Sequence, residues 1–184
     1  MRIIAGKFKG HQLMPFKGSQ IRPTTDRVKE SIFNKLMGQI EGAHVLDLFS
    51  GTGNLGIEAL SRGAERVVCV ENHKGSLNII RENHKKLGVL GEIEVIPLDV
   101  LRFLKAFKVS DPKFDVVLID PPFTKKMAHE VMEQMQKTDC VRSGGTVVIE
   151  SSAHERIDSE YYGYSLLACK SYGDKNVSFF EKVE

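Results

Sequence analysis

From residue 45 onward, continuous apolar runs alternate with apolar positions at helical spacing. VLDLF (45–49), RVVCVE (66–71), IEVIPLD (93–99), FDVVLID (114–120) and GTVVIES (145–151) are runs rich in β-branched residues. Strands buried on both faces show this continuous pattern. Between the runs, helices are predicted from a glycine turn to Leu60, stopped by Gly63, and over 74–87, 100–107 and 126–137. The 74–87 segment puts Leu77, Ile80, His84 and Leu87 on one face, with Gly88 past its end. Met127, Val131 and Met135 form an i, i+4, i+8 stripe that reads as core, and His84 on its apolar face likewise reads as a core histidine. Five βα units predict an α/β fold, a doubly wound, mostly parallel sheet with helices on both faces. The tail departs from the alternation: 164–170 and 177–183, joined by Tyr172-Gly173-Asp174-Lys175, predict an antiparallel C-terminal hairpin at one edge.

Upstream, residues 1–24 are rich in Gly, Lys and Pro, with scattered Ile3, Ile4, Phe8, Leu13 and Phe16. They predict a short strand or hairpin running into a loop. Pro23 biases Arg22 toward extended geometry. Thr24 or Thr25 then serves as N-cap of a helix carrying Val28, Ile32, Phe33, Leu36 and Met37, closed by Gly38. The chain therefore divides into a basic arm and helix at 1–38, packed on an α/β domain at 39–184.

Composition narrows the class. The chain has 184 residues, 41% hydrophobic and 27% charged, with a net charge of +2. These are values of a soluble globular chain of single-domain size. No apolar run approaches the ~20 residues that span a bilayer, and the first residues lack a signal-peptide core. Cys69, Cys140 and Cys169 have neither disulfide nor zinc spacing, so all three are expected as core residues of a cytoplasmic protein without a metal. The small net charge conceals an asymmetry: residues 1–35 carry +6 and the remainder −4. A basic arm on a mildly acidic body fits either a nucleic-acid-binding surface or a solvated charged tail, and charge alone favours the tail.

The first chemical motif is Asp47-Leu48-Phe49-Ser50-Gly51-Thr52-Gly53-Asn54-Leu55-Gly56, between a strand and a helix. Open parallel sheets bind ligands at this position. Gly51 and Gly53 let a ligand approach the main chain, and Gly56 permits close helix–sheet packing. The G-x-G-x-x-G match alone is not specific. Glu71 ends the next strand, 20 residues after Gly51, where it can accept from ribose hydroxyls, and Asp99 ends the third, where it can accept from an adenine amine. The series points to an adenosine ligand. A dinucleotide would set its pyrophosphate against the helix N-terminus, and Asp47 would repel it if it faced the site. S-adenosylmethionine carries a sulfonium and an ammonium instead, which an acid in this motif suits.

The fourth strand ends in Asp120-Pro121-Pro122-Phe123. Prolines lack N–H groups, so this turn offers acceptors with few competing donors. The Asp120 carboxylate and Pro121 carbonyl can each take one N–H of a planar exocyclic amine, and Phe123 offers a face for a base. The expected reaction is attack of the amine nitrogen on the S-adenosylmethionine methyl, with Asp120 and the Pro121 carbonyl stabilising the positive charge that develops and alignment supplying much of the rate.

DPPF resembles the motif of amino-group methyltransferases acting on nucleic-acid bases. Together with RIIAG (2–6), RPTTDRVKE (22–30) and DLFSGTGNLGIEALSRGA (47–64), it makes nearly the whole chain resemble the RsmD family of bacterial 16S rRNA (guanine-N2)-methyltransferases. The resemblance implies a Rossmann-like class I methyltransferase with a seven-stranded sheet, its last strand antiparallel. It implies cofactor contacts at Asp47, Phe49, Gly51, Gly53, Asn54, Glu71, Asn72, Asp99 and Val100. It puts the target amine at Asp120, Pro121, Pro122 and Phe123, and RNA contacts at Lys7, Lys9, Arg22, Thr24 and Arg27. Ala5 and Ser50-Gly51-Thr52 depart from the family's commoner Gly and Ala-Gly-Ser. The implied partner is small-subunit ribosomal RNA or the subunit itself. The rivals are a DNA adenine-N6 methyltransferase, a non-catalytic RNA-binding assembly factor and a nicotinamide oxidoreductase.

Overall fold

The computed structural model describes residues 1–16, 25–122 and 127–183. Its centre is a sheet in which β1 (His44–Leu48), β2 (Arg66–Val70), β3 (Ile93–Ile96), β4 (Phe114–Ile119) and β5 (Val141–Ser152) run parallel. β6 (Glu160–Tyr161), β7 (Tyr164–Tyr172) and β8 (Lys175–Lys182) complete the order β3-β2-β1-β4-β5-β8-β7-β6, with β8 antiparallel to β5 and to β7. The helices are α1 (Asp26–Lys35), α2 (Asn54–Ser61), α3 (Lys74–Leu87), α4 (Val100–Ala106) and α5 (Ala128–Met135). The fold matches the expected class, with an eighth strand, the two-residue β6, beyond the seven the resemblance implies.

The strand period of two divides the interior into two cores. Val45, Val67, Cys69, Val116 and Leu118 face one core, where they meet Ile32 and Phe33 of α1, Ile57 and Leu60 of α2, and Ile80 of α3. Leu46, Leu48, Val68, Val70, Val117 and Ile119 face the other, filled by Leu104 of α4 and by Val131, Met132 and Met135 of α5. Alternate residues of one apolar run thus serve opposite layers. Val131 and Met135 of the stripe and Cys69 and Cys140 are core, as expected, but Met127, just before α5, is half-buried and Cys169 is exposed on β7. Its strand lies near the sheet edge, where alternate side chains meet solvent.

The arm begins as a hairpin. Arg2 bridges Gln12 in antiparallel register, and Leu13 N–H donates to Met1 O at 3.0 Å. Ile3 and Leu13 are buried in the first core. Positive-φ Gly6 lies so close to α2 that an added Cβ would sit 1.7 Å from Ser61 O. Thr25, not Thr24, caps α1, accepting from Val28 N–H.

A buried ion pair fixes the same contact. Lys29 is 1% exposed and Glu58 0%, and Lys29 Nζ lies 3.1 Å from Glu58 Oε2. Lys29 also donates to Arg2 O (2.6 Å) and Asn54 Oδ1 (2.8 Å). Glu58 accepts from the N–H groups of Ile4 (2.8 Å) and Ala5 (3.1 Å) and from Arg62 Nε (2.8 Å). Burial pulls the Lys29 ammonium below its ordinary pKa while Glu58 opposes the shift. Lys29, one of the cations behind the arm's positive charge, is therefore an internal structural charge.

Candidate functional site

The parallel registers bring the chemical residues to one edge. Leu48 pairs with Val70 and with Ile119, so the glycine turn, Glu71 and Asp120 leave the sheet at one level. Val70 pairs with Ile96, which puts Asp99 three residues beyond the end of β3. The order β3-β2-β1-β4 then sets Asp99, Glu71, the glycine turn and Asp120 in a row.

The turn starts with strain. The apolar run predicts a strand through Phe49, but β1 stops at Leu48, and Phe49 has φ 61°, the only positive φ at a non-glycine among the described residues. A bulky residue in the left-handed region costs on the order of 1 kcal/mol and is held only by its surroundings. Here Ser50 N–H and Oγ–H donate to Val70 O and Asp47 O, at 3.1 and 2.6 Å. Glu71 closes the turn from the next strand: Oε2 accepts from Gly51 N–H (2.8 Å), and Oε1 accepts from the N–H groups of Asn72 and His73. Asp47 lies buried below, with Oδ2 accepting from Gly56 N–H at 2.8 Å. A Cβ on Gly56 would stand 2.9 Å from Cys69 Sγ and 3.0 Å from that oxygen, so glycine is required for the close packing. Burial pushes the Asp47 carboxyl up to about 8, offset in part by the Gly56 bond and reinforced by the charges of Asp120 and Glu71.

The other residues named from sequence take varied positions. Asp99 is the N-cap of α4, using Oδ1 to accept from Arg102 N–H, and Val100 is buried behind it. Asn54 opens α2, but its amide oxygen is held by Lys29. Asp120 is half-buried, and its N–H donates to Leu48 O. Pro121 is buried and Pro122 exposed, while Phe123 lies outside the described residues. Arg22 and Thr24 also lie outside them. Lys7 pairs with Glu92 at 3.1 Å, and Lys9 is exposed. Arg27 stands exposed between two shallow cavities of about 380 and 320 Å³, one also lined by Lys35 and Lys170 and the other by Tyr172 and Lys175.

The sequence does not single out Asn83, and it marks His84 only as core. Asn83, buried on α3, donates to Thr52 O at 3.0 Å and accepts from Met14 N–H at 2.8 Å. His84 is 1% exposed and its Nε2 has no hydrogen-bond partner among the described residues, so it is core but not satisfied there. That nitrogen would lie 3.3 Å from a Cβ on Gly53, whose φ is 78° and whose Cβ would strike Ile80 at 2.6 Å. The polar residues on the apolar face of α3 were the available signal. Burial lowers the His84 pKa from 6.5 to about 4. As pH falls through this interval the unfolded chain takes up the proton first, so stability is lost between pH 6.5 and 4. The loss from this group is about 3 kcal/mol at the acid end. Urea unfolding at pH 7, 5.5 and 4 measures it; His84→Leu should flatten the curve, and parallel curves for variant and parent would refute the assignment.

Comparison with known proteins agrees with this fold. A family model described as conserved hypothetical protein 95 matches residues 1–181. Ribosomal RNA small subunit methyltransferase D of Haemophilus influenzae is 38% identical over 82% of this chain and 78% of that protein. The protein of that name from Escherichia coli K12 is 30% identical over 90% of this chain and 82% of its own length. The solved structure of the Escherichia coli protein yhhF superposes with a TM-score of 0.88 at 29% identity, covering 100% of this chain and 98% of that one.

Proposed function

The chain belongs to the RsmD family of ribosomal RNA methyltransferases, and from that premise we propose that it methylates the exocyclic N2 amine of a guanine in small-subunit ribosomal RNA, using S-adenosylmethionine. The observation that carries the cofactor assignment is the acidic edge. Asp47, Glu71 and Asp120 stand at the glycine turn on three adjacent strands, and burial, with a smaller contribution from the charges of Asp120 and Glu71, raises the Asp47 carboxyl to about 8. Such an edge suits a cation and repels a pyrophosphate. The residues present therefore fit S-adenosylmethionine, which when bound supplies a methyl group activated by its sulfonium.

In this reading Gly51 and Gly53 admit the cofactor to the main chain, with Phe49 and Asn54 flanking them. Glu71 and Asn72 receive the ribose, and Asp99 and Val100 the adenine. Asp47, its carboxyl raised to about 8, supports the turn from beneath by accepting from Gly56 N–H. Asp120 and the Pro121 carbonyl accept the two N–H groups of the target amine and hold its nitrogen in plane. As positive charge grows on that nitrogen, the Asp120 carboxylate stabilises it in place. Pro122 stiffens the turn, and Phe123 stacks on the base. Residues 1–38 form an RNA-facing extension on the catalytic domain at 39–184, with Lys7, Lys9, Arg22, Thr24 and Arg27 meeting the substrate. Among the described residues no helix is long and apolar enough to cross a membrane. The three free cysteines suit the reducing cytoplasm where ribosomal RNA is modified.

Transfer of a radiolabelled methyl group to naked small-subunit RNA, to small subunits and to DNA tests the reading. Label in the RNA supports it, and label confined to DNA adenine overturns it. Glu71→Ala should weaken cofactor binding about tenfold or more, from loss of a charge-assisted contact worth ~1.5–3 kcal/mol, while turnover at saturating cofactor changes little. Equilibrium titration paired with saturating kinetics checks this. A large fall in turnover at unchanged affinity would assign Glu71 to the chemical step instead.

A further inference from the structure

The hairpin and the cofactor turn share a support. Residues 52–54 are held at three points by groups that also hold the first 14 residues. Thr52 Oγ1 approaches Met1 Sδ at 3.6 Å. Asn54 Oδ1 accepts from Lys29, which also donates to Arg2 O. Between these, the Asn83 side chain joins both segments: Nδ2 donates to Thr52 O at 3.0 Å and to Met14 O at 3.4 Å, and Oδ1 accepts from Met14 N–H at 2.8 Å. Asn83 is 0% exposed. A buried amide with its donors and acceptor engaged cannot shift toward one partner without straining or breaking its bond to the other.

We propose that Asn83 is a positioning residue that couples the N-terminal hairpin to the cofactor turn, so that RNA seated on the hairpin and cofactor seated on the turn each strengthen the other's binding. This rests on the RNA methyltransferase reading above. Asn83 sits on α3, with its side chain between the two segments rather than at the reacting groups. A ligand that orders one segment orders the amide, and the second ligand then has less conformational entropy to lose. Linkage requires the effect to be equal in both directions. The turn is also sensitive to small displacements, because Gly53 is closely backed by Ile80 and His84.

The test titrates S-adenosylhomocysteine, a non-reacting probe, into the full chain with and without small-subunit RNA. In the native protein, RNA should tighten its binding several-fold. Asn83→Ala should weaken it about tenfold without RNA and reduce the effect of RNA to less than twofold. KM for S-adenosylmethionine should rise correspondingly, and kcat should change little. Amide exchange in the native protein gives a second readout that needs no variant. S-adenosylhomocysteine should slow exchange at Met14, whose N–H binds Asn83, and RNA should slow exchange at Gly53, whose N–H binds Ser50 O. If each ligand protects only its own segment, or if Asn83→Ala keeps the native coupling, the inference is wrong while the enzyme reading stands. A native chain that transfers no methyl to RNA removes the enzyme reading and this inference with it.

Discussion

Asp120→Ala should slow methyl transfer by about 10²–10³-fold at saturating cofactor and RNA, the usual cost of losing one group aimed at charge that develops in the transition state. The carboxylate stands at the end of β4, level with the glycine turn, and its backbone N–H is tied to Leu48 O. The main chain should therefore stay in place when the side chain is cut. Asp120→Asn keeps an oxygen acceptor without the charge and should fall between native and alanine. Both variants should retain cofactor affinity within a few-fold, since the cofactor is assigned to the strands on the other side of β4. Removing this charge also removes one of the influences that raise Asp47, so Asp47 should ionise at lower pH in the variants. Single-turnover rates with titrated cofactor separate these effects. Native rates in Asp120→Ala would remove this residue from the chemistry.

The second large effect is on stability. Glu58→Ala strips the partner from a buried ammonium and leaves two N–H groups of the arm, those of Ile4 and Ala5, without their acceptor. Breaking a buried ion pair from one side costs about 3–5 kcal/mol, which for a chain of this size lowers the melting temperature by on the order of 10 °C. Glu58→Leu combined with Lys29→Met should recover part of the loss, because no ammonium is then left buried without a counterion, although the Ile4 and Ala5 N–H groups still lack their acceptor. The hairpin should also detach, measured as faster amide exchange at Ile4 and Ala5. Thermal melts of native, single and double variants decide it, and a single variant melting within 2 °C of native would show that the pair does not hold the arm.

Much of this was readable from residue order. The five apolar runs, the helix-stopping glycines and the Tyr172–Lys175 turn mark local preferences that the tertiary fold keeps. Strand-end acids are legible for the same reason, because a parallel sheet gathers the ends of its strands. What the sequence hides is partnership across long separations. Lys29 looks like any basic residue of a charged arm, and only folding shows that Glu58 neutralises it in the core. Asn83 and His84 sit on an apolar helical face with nothing nearby in sequence to say what they hold. Phe49 looks like a strand residue because its side chain is apolar, yet the glycine turn begins there and forces its φ positive. β6 has only two residues, too short to leave a periodic pattern. Cys169 is exposed because β7 lies next to the short edge strand, where a small apolar residue need not be covered. The charge asymmetry survives in altered form: the cations left for a substrate include Lys9 and Arg27, while Lys29 and Lys7 are engaged within the protein.

The measurement closest to the central claim is mass spectrometry of nucleosides from small-subunit ribosomal RNA, prepared from cells with and without a working copy of this protein. N2-methylguanosine at one additional residue per RNA in the presence of the protein, absent when Asp120→Ala replaces it, is the predicted result. Identical nucleoside profiles with and without the protein, or a difference confined to adenine in DNA, would contradict the account.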